Sequence, residues 1–390
     1  MNLVVNGTNV FIIIFVTFVA SALLVPVAKK VAHHVGALDI PNERKVHTKP
    51  MPRVGGLAIF AAFLLGYMMY AQSTAQMLSI LMGGFVIFVL GMLDDIKPIP
   101  AKWKFLVQLM AAAIVVFYGN IVLSKVSAFG ITINFPAPLN YMVTMIFIAA
   151  ITNAINLIDG LDGLAAGVSS IYFATIAVIA LILNKLGGLD VILSLIMLGA
   201  TLGFLLHNFN PASIFMGDSG SLFLGFMISV IALLGFKATT LTSLIVPLCI
   251  LAIPILDTVL AIFRRLLKGE SIGAPDKEHF HHQLLKMKFG TKITVLIIYA
   301  INMLFSAVSI FYVLGDNELA IGIYIVLMIA LLFLVLKTDI LFNHHKKDKK
   351  TKAGVKWKRI KYPKKYIMFG LVAKKNQRIF KCVWTHGKNI

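Results

Sequence analysis

Carboxylates are scarce in this chain of 390 residues. Sixteen Asp and Glu face 36 Lys and Arg, and charged residues make up only 13% of the whole. Cysteine is scarcer still. Cys249 falls in an apolar run and Cys382 near the end, which excludes a disulfide scaffold and any cysteine-built metal centre. The lack of charge is matched by an excess of apolar residues, 59% of the chain, where soluble proteins rarely exceed about 50%. That excess calls for a solvent other than water. A membrane-crossing helix takes about 20 mostly apolar residues, and eleven such segments can be placed: 5–28, 54–71, 77–93, 103–119, 141–158, 163–184, 191–206, 219–236, 243–263, 293–315 and 319–336. The fold class expected is an all-α integral membrane protein of about eleven transmembrane helices. No basic stretch precedes the first segment and Lys29 and Lys30 follow it, the pattern of a retained helix.

Eleven spans place the loops alternately on two sides. One side, with its helix edges, holds every Lys and Arg except Lys125, Lys185 and Lys237. Cytoplasmic loops carry that excess, so the expected topology puts the N-terminus outside and the polar clusters on the cytoplasmic face of a cell membrane. Residues 1–340 form the expected membrane domain. Residues 341–390 form a basic, partly disordered cytoplasmic tail, suited to anchoring or to anionic lipid head groups rather than to nucleic acid.

The carboxylates that exist are unevenly spent. Asp94 and Asp95 close the third span just before Pro98 and Pro100, at the negative end of a helix dipole. A solvated loop pair and a divalent-cation site both fit them. Asn153, Asn156, Asp159 and Asp162 recur at three-residue steps, with Gly160 and Gly163 directly after the two aspartates. Such steps drift around a helix, so all four cannot share one face, and the two glycines suggest that the helix breaks or tightens here. Gly217-Asp218-Ser219-Gly220-Ser221 opens the eighth span, where a capping turn and a phosphate-binding helix N-terminus use the same physics. Phe215, just before it, could offer a face to a base. Asp257 lies inside the ninth span and calls for a partner. Arg264 and Arg265 suit either positive-inside flanking or bidentate phosphate recognition. In Asp276-Lys-Glu-His279-Phe-His281-His282, spacing puts His279 and His282 on one helical face with His281 elsewhere; no cysteine or second histidine cluster completes a zinc site. Together these groups suit phosphoryl transfer between a soluble phosphorylated donor and a lipid acceptor. A transporter would instead carry polar groups near the bilayer midplane.

Five ordered motifs then resemble one family. They are Pro52-Arg53-Val-Gly-Gly56, Asp94-Asp95, Asn156-x-x-Asp159-Gly-x-Asp162-Gly, Gly217-Asp-Ser-Gly-Ser221 and His279-x-His281-His282. Over about residues 5–340 the chain resembles the polyprenyl-phosphate N-acetylhexosamine-1-phosphate transferases. The resemblance implies attack of undecaprenyl phosphate on the β-phosphorus of a UDP-sugar, with release of UMP. It also implies roles. Asp94 and Asp95 would orient or deprotonate the lipid phosphate, with Lys104 contacting it. Asp218, with Asp95, would hold Mg²⁺, for which Mn²⁺ could substitute. Asn156, Asp159 and Asp162 would line the nucleotide and phosphate site, and Phe215 would lie near the uracil. His279, His281 and His282 would contact diphosphate and sugar, with Arg264 and Arg265 as further donor contacts. The His-x-His-His and Pro-Arg-Val-Gly-Gly patterns are similar to the UDP-GlcNAc branch, and the first loop to enzymes that begin wall teichoic acid linkage. UDP-MurNAc-pentapeptide transfer is the alternative within the family, and a homodimer is left open.

Overall fold

In a bilayer, helices gain little from hiding apolar surface from one another, so close packing through small residues decides which helices meet. The computed structural model shows this at its glycines. It describes residues 3–40, 50–128, 131–237, 245–269, 279–315 and 317–337; the basic tail lies outside the described residues. The helices are α1 (Val10–Val35), α2 (Gly56–Tyr70), α3 (Ala75–Ile96), α4 (Ala101–Ala113), α5 (Leu139–Ile158), α6 (Leu164–Ile182), α7 (Leu189–Asn208), α8 (Gly217–Lys237), α9 (Ile245–Ile250), α10 (Ala252–Leu267), α11 (Phe280–Lys286), α12 (Thr291–Leu314) and α13 (Asn317–Lys337). Three antiparallel hairpins join them: β1 (Val4–Val5) with β2 (Thr8–Asn9), β3 (Leu38–Asp39) with β4 (Met51–Pro52), and β5 (Lys125–Ala128) with β6 (Ile131–Asn134). The protein is an all-α, multi-pass membrane protein. Nine of the described helices are long and apolar enough to cross a membrane, counting α4 together with the π-turn Ile114–Tyr118 that prolongs it.

The segments expected from the sequence match these helices with three physical differences. The first helix starts at Val10, because Val4–Asn9 turn into a hairpin and Asn9 Oδ1 caps Phe11 N at 2.9 Å. It runs on through Lys29 and Lys30 to Gly36, whose φ of 73° ends it. The second is only 15 residues long. The ninth, 243–263, is two helices meeting at Leu251 (φ −95°, ψ 21°), where Pro254 has no N–H to give to the carbonyl of Ile250. Residues 243 and 244 lie outside the described residues.

Helix α8 is the axis of the bundle, packed against α2, α3, α5, α6 and α7. Its apolar stretch is 94% buried, which explains why it is hydrophobic all round rather than on one face. Its N-terminal end is approached by two backbones. A Cβ on Gly56 would lie 2.2 Å from Gly220 N, and one on Gly91 would lie 2.4 Å from Ser219 Cα. Only glycine lets α2 and α3 come so close. At the far side α1 crosses α7 over Gly199 and Gly203, where added Cβ atoms would strike Thr17 and Phe18.

Candidate active site

The close approach at Gly91 brings the end of α3 over the start of α8. Asp95 then accepts the backbone N–H of Asp218 at 2.8 Å and that of Ser219 at 3.0 Å. These are two of the donors that a helix N-terminus leaves unsatisfied, so α8 is capped from another helix. Gly217 makes the turn possible. Its φ is 72°, and a Cβ there would lie 2.0 Å from Arg53 O and 2.4 Å from an Asp95 oxygen. Pairing of Phe215 N with Pro52 O (2.8 Å), Gly55 N with Phe215 O (3.0 Å) and Gly56 N with Met216 O (2.9 Å) ties the first loop to the same turn.

Cations bridge the carboxylates. Lys104, in the first turn of α4, lies 2.9 Å from Asp94 and 2.7 Å from Asp218. Arg53 lies 3.2 Å from Asp95 and 3.6 Å from Asp218. The other Asp94 oxygen accepts Ile99 N at 2.7 Å and closes the turn before α4. Five charged side chains from four segments thus meet at one end of the bundle, with Asp94 and Asp95 buried and Asp218 half-buried.

The polar repeat breaks where Gly160 and Gly163 suggest: α5 ends at Ile158 and α6 starts at Leu164, after Gly163 at φ 79°. Its members part company. Asn153 pairs with Gln108 of α4. Asn156 donates to Ser221 of α8 at 2.8 Å. Asp162 accepts Asn210 Nδ2 at 2.9 Å and Ala212 N at 3.0 Å, so it fastens this turn to the loop before α8. Burial, together with the charges of Asp218 and Asp95, pushes the half-buried Asp159 carboxyl up to about 8.

The histidines are not arranged as helical spacing predicts. His279 precedes α11 rather than lying on it, so its ring stacks parallel to His281 at 5.7 Å, while His282 lies 4.3 Å from His281. His281 is buried with Nε2 against Gly160, where a Cβ would lie 2.4 Å from that nitrogen. Burial, and the charges of His282 and His279, push its ring down to about 3, which keeps it neutral. Asp257 finds its partner here: His279 Nδ1 lies at 3.0 Å, and Phe280 N donates at 2.9 Å. Arg264 and Arg265 are buried too, on the stripe of α10 that runs Asp257, Leu260, Ala261, Arg264 and Arg265. Val259, Phe263 and Leu266 are exposed on the opposite face, as a helix needs when its outer solvent is lipid. The arginines therefore belong to the inside of the bundle rather than to a solvated flank.

Residues 77–236 match glycosyl transferase family 4. A "probable undecaprenyl-phosphate N-acetylglucosaminyl 1-phosphate transferase" of Bacillus subtilis (strain 168) is 45% identical over 328 residues, 82% of this chain and 89% of that protein. The chain belongs to glycosyl transferase family 4. Two further relatives are more distant. The decaprenyl-phosphate N-acetylglucosaminephosphotransferase of Mycobacterium tuberculosis (strain ATCC 25618 / H37Rv) is 35% identical over 301 residues, 70% of this chain and 74% of its own. The undecaprenyl-phosphate alpha-N-acetylglucosaminyl 1-phosphate transferase of Escherichia coli (strain K12) is 33% identical over 303 residues, 75% of this chain and 80% of its own. The family 4 match takes in the capped turn and the polar repeat; the histidine segment lies beyond it.

Two residues of the site carry a role that their place in the sequence does not give. Arg53 sits inside a quoted motif, but nothing in the linear order shows that it spans Asp95 and Asp218. Asp257 was marked by its position in a span, while its partner is 22 residues away. Among the described residues no three His, Cys, Asp or Glu side chains are close enough to hold a metal ion by themselves.

Proposed function

We propose that the chain transfers GlcNAc-1-phosphate from UDP-GlcNAc to undecaprenyl phosphate, giving undecaprenyl-diphosphate-GlcNAc and UMP, at the cytoplasmic face of the membrane. The observation that carries this reading is the set Asp94, Asp95, Asp218, Arg53 and Lys104 around the capped N-terminus of α8. Its motifs, and the names of relatives that cover most of the chain, support the same reaction.

An acceptor phosphate has a second pKa near 6, so it is mostly dianionic at neutral pH and needs orientation more than deprotonation. Lys104 is the cation proposed to take it, in exchange for one of the two carboxylates that its ammonium bridges. An acceptor oxygen forms the new bond to the β-phosphorus of the donor. The bond from that phosphorus to the bridging oxygen breaks, and UMP leaves with the electron pair. Asn156, Asp159, Phe215 and the histidines are the groups proposed to bind the donor; Asp162 holds the turn that carries Asp159.

The donor set is all oxygen and suits Mg²⁺, which keeps several waters and takes one or two carboxylates plus substrate phosphates. Asp218 is the ligand proposed. Asp95 would first have to exchange its bonds with Arg53 and with the α8 backbone. When bound, the metal would supply positive charge for the phosphates. The distribution of Lys and Arg supports the cytoplasmic orientation, and the product is of the kind on which a cell-wall polymer such as teichoic acid is begun.

The test is UMP release by detergent-purified protein with undecaprenyl phosphate, with and without Mg²⁺, comparing UDP-GlcNAc with UDP-MurNAc-pentapeptide. Turnover of UDP-GlcNAc alone is expected. Turnover only of the pentapeptide donor, or of neither, would sink the proposal.

A further inference from the structure

Asp257 is a carboxylate in a segment that otherwise reads as membrane helix, and its side chain is only 3% exposed. A buried carboxylate without partners would be strongly destabilising. Both of its oxygens are used. Oδ1 accepts the N–H of Phe280, and Oδ2 faces Nδ1 of His279 at 3.0 Å. Ile158, Leu164, Val168, Ile253 and Ile298 surround the junction of Asp257, Phe280 and His281, so this contact is made in apolar surroundings.

A carboxylate at that place has a chemical consequence for the histidine. It can only accept, so the ring nitrogen that faces it must carry the proton, and the other nitrogen is then the one presented elsewhere. We propose that Asp257 is a positioning residue for the transfer reaction. It docks the start of α11 onto α10 and holds the proton of His279 on Nδ1, so that Nε2 is the nitrogen offered to the phosphates of the nucleotide-sugar donor. The docking also places His281, two residues on, against Gly160 in the turn that follows Asp159. One carboxylate on α10 therefore aligns the histidine segment with the polar repeat. The inference rests on the donor-binding role given above to His279.

Asp257→Asn tests it. The amide can still accept from Phe280 N, but its other end is a donor that faces His279 Nδ1, so the ring must move its proton to Nε2 or turn. The expected result is a drop in kcat for UMP release of about 10–100-fold, with the KM for undecaprenyl phosphate unchanged. Asp257→Glu, which keeps the acceptor, should recover part of the loss. The deciding readout is independent of turnover. Nitrogen-15 spectra of histidine-labelled protein, with His279 assigned by loss of its signals in His279→Gln, should show a proton on Nδ1 in the parent protein and its displacement in Asp257→Asn. A bare Nδ1 in the parent, or an unchanged His279 in Asp257→Asn, overturns the proposal. Should Asp257→Asn fail to fold, the parent spectrum and Asp257→Glu decide it. If the parent protein does not turn over UDP-GlcNAc, the reaction assigned to the site fails while the spectra still judge Asp257.

Discussion

Asp95, near the end of α3, accepts the backbone N–H of Asp218, the second residue of α8, at 2.8 Å. The cap of the central helix is thus borrowed from a residue 123 positions earlier, which leaves the side chain of Asp218 to Lys104 and Arg53. Asp95→Asn keeps an acceptor oxygen but loses the charge opposite Arg53. Loss of a cap costs about 1–2 kcal/mol, so the thermal midpoint in detergent should fall modestly while UMP release falls by about 100-fold or more. A variant with parental turnover would remove Asp95 from the site.

Arg53 reaches Asp95 and Asp218 together through different nitrogens. Arg53→Met leaves the two carboxylates facing each other without that cation, and turnover should drop by about 100-fold. Arg53→Lys should recover little, because one ammonium on a flexible stem does not span both groups as a planar guanidinium does. Full activity of Arg53→Lys would show that charge alone suffices there.

Gly91 meets backbone, not a side chain that can swing aside. Its added Cβ would lie 2.4 Å from Ser219 Cα, whereas a Cβ on Gly187 would meet nothing within 4 Å. Overpacking of this kind costs about 1–3 kcal/mol, so Gly91→Ala should lower the thermal midpoint and Gly187→Ala should leave it nearly unchanged. Equal midpoints for the two variants would argue against the close approach of α3 to α8.

The buried His281 makes the folded protein sensitive to acid. Its ring is pushed from 6.5 to about 3 by burial, so the folded state holds it neutral while the unfolded chain protonates it. That contribution is fully present above pH 6.5 and is lost as pH falls toward 3. At pH 5 the loss is about 2 kcal/mol. Unfolding midpoints measured between pH 8 and pH 5 should fall less steeply for His281→Phe than for the parent protein; identical slopes would place the acid sensitivity elsewhere.

Much of this architecture could be read along the chain, because a bilayer imposes a local rule. A helix that satisfies its own backbone hydrogen bonds in lipid must be long and apolar, and residues such as Ala75–Ile96 and Leu139–Ile158 announce themselves by that rule alone. The break at Gly163 and the candidate groups Asp94, Asp95, Asp159, Asp218 and His279 were likewise visible, since polar residues beside apolar runs are costly and few. Spacing failed where the chain left the helix: His279 precedes α11, so the three-residue step no longer decided which rings meet.

The sequence by itself determined the solvent, the helical class and the short list of candidate polar groups beside the apolar runs. Tertiary structure alone decided which of them act together: Asp95 as the cap of α8, Arg53 and Lys104 as bridges, Asp162 as a fastener, Asp257 as the anchor of His279. The reason is range. Hydrophobic patterning and helix length act between near neighbours in sequence, whereas a hydrogen bond or ion pair acts over about 3 Å in space and ignores sequence separation.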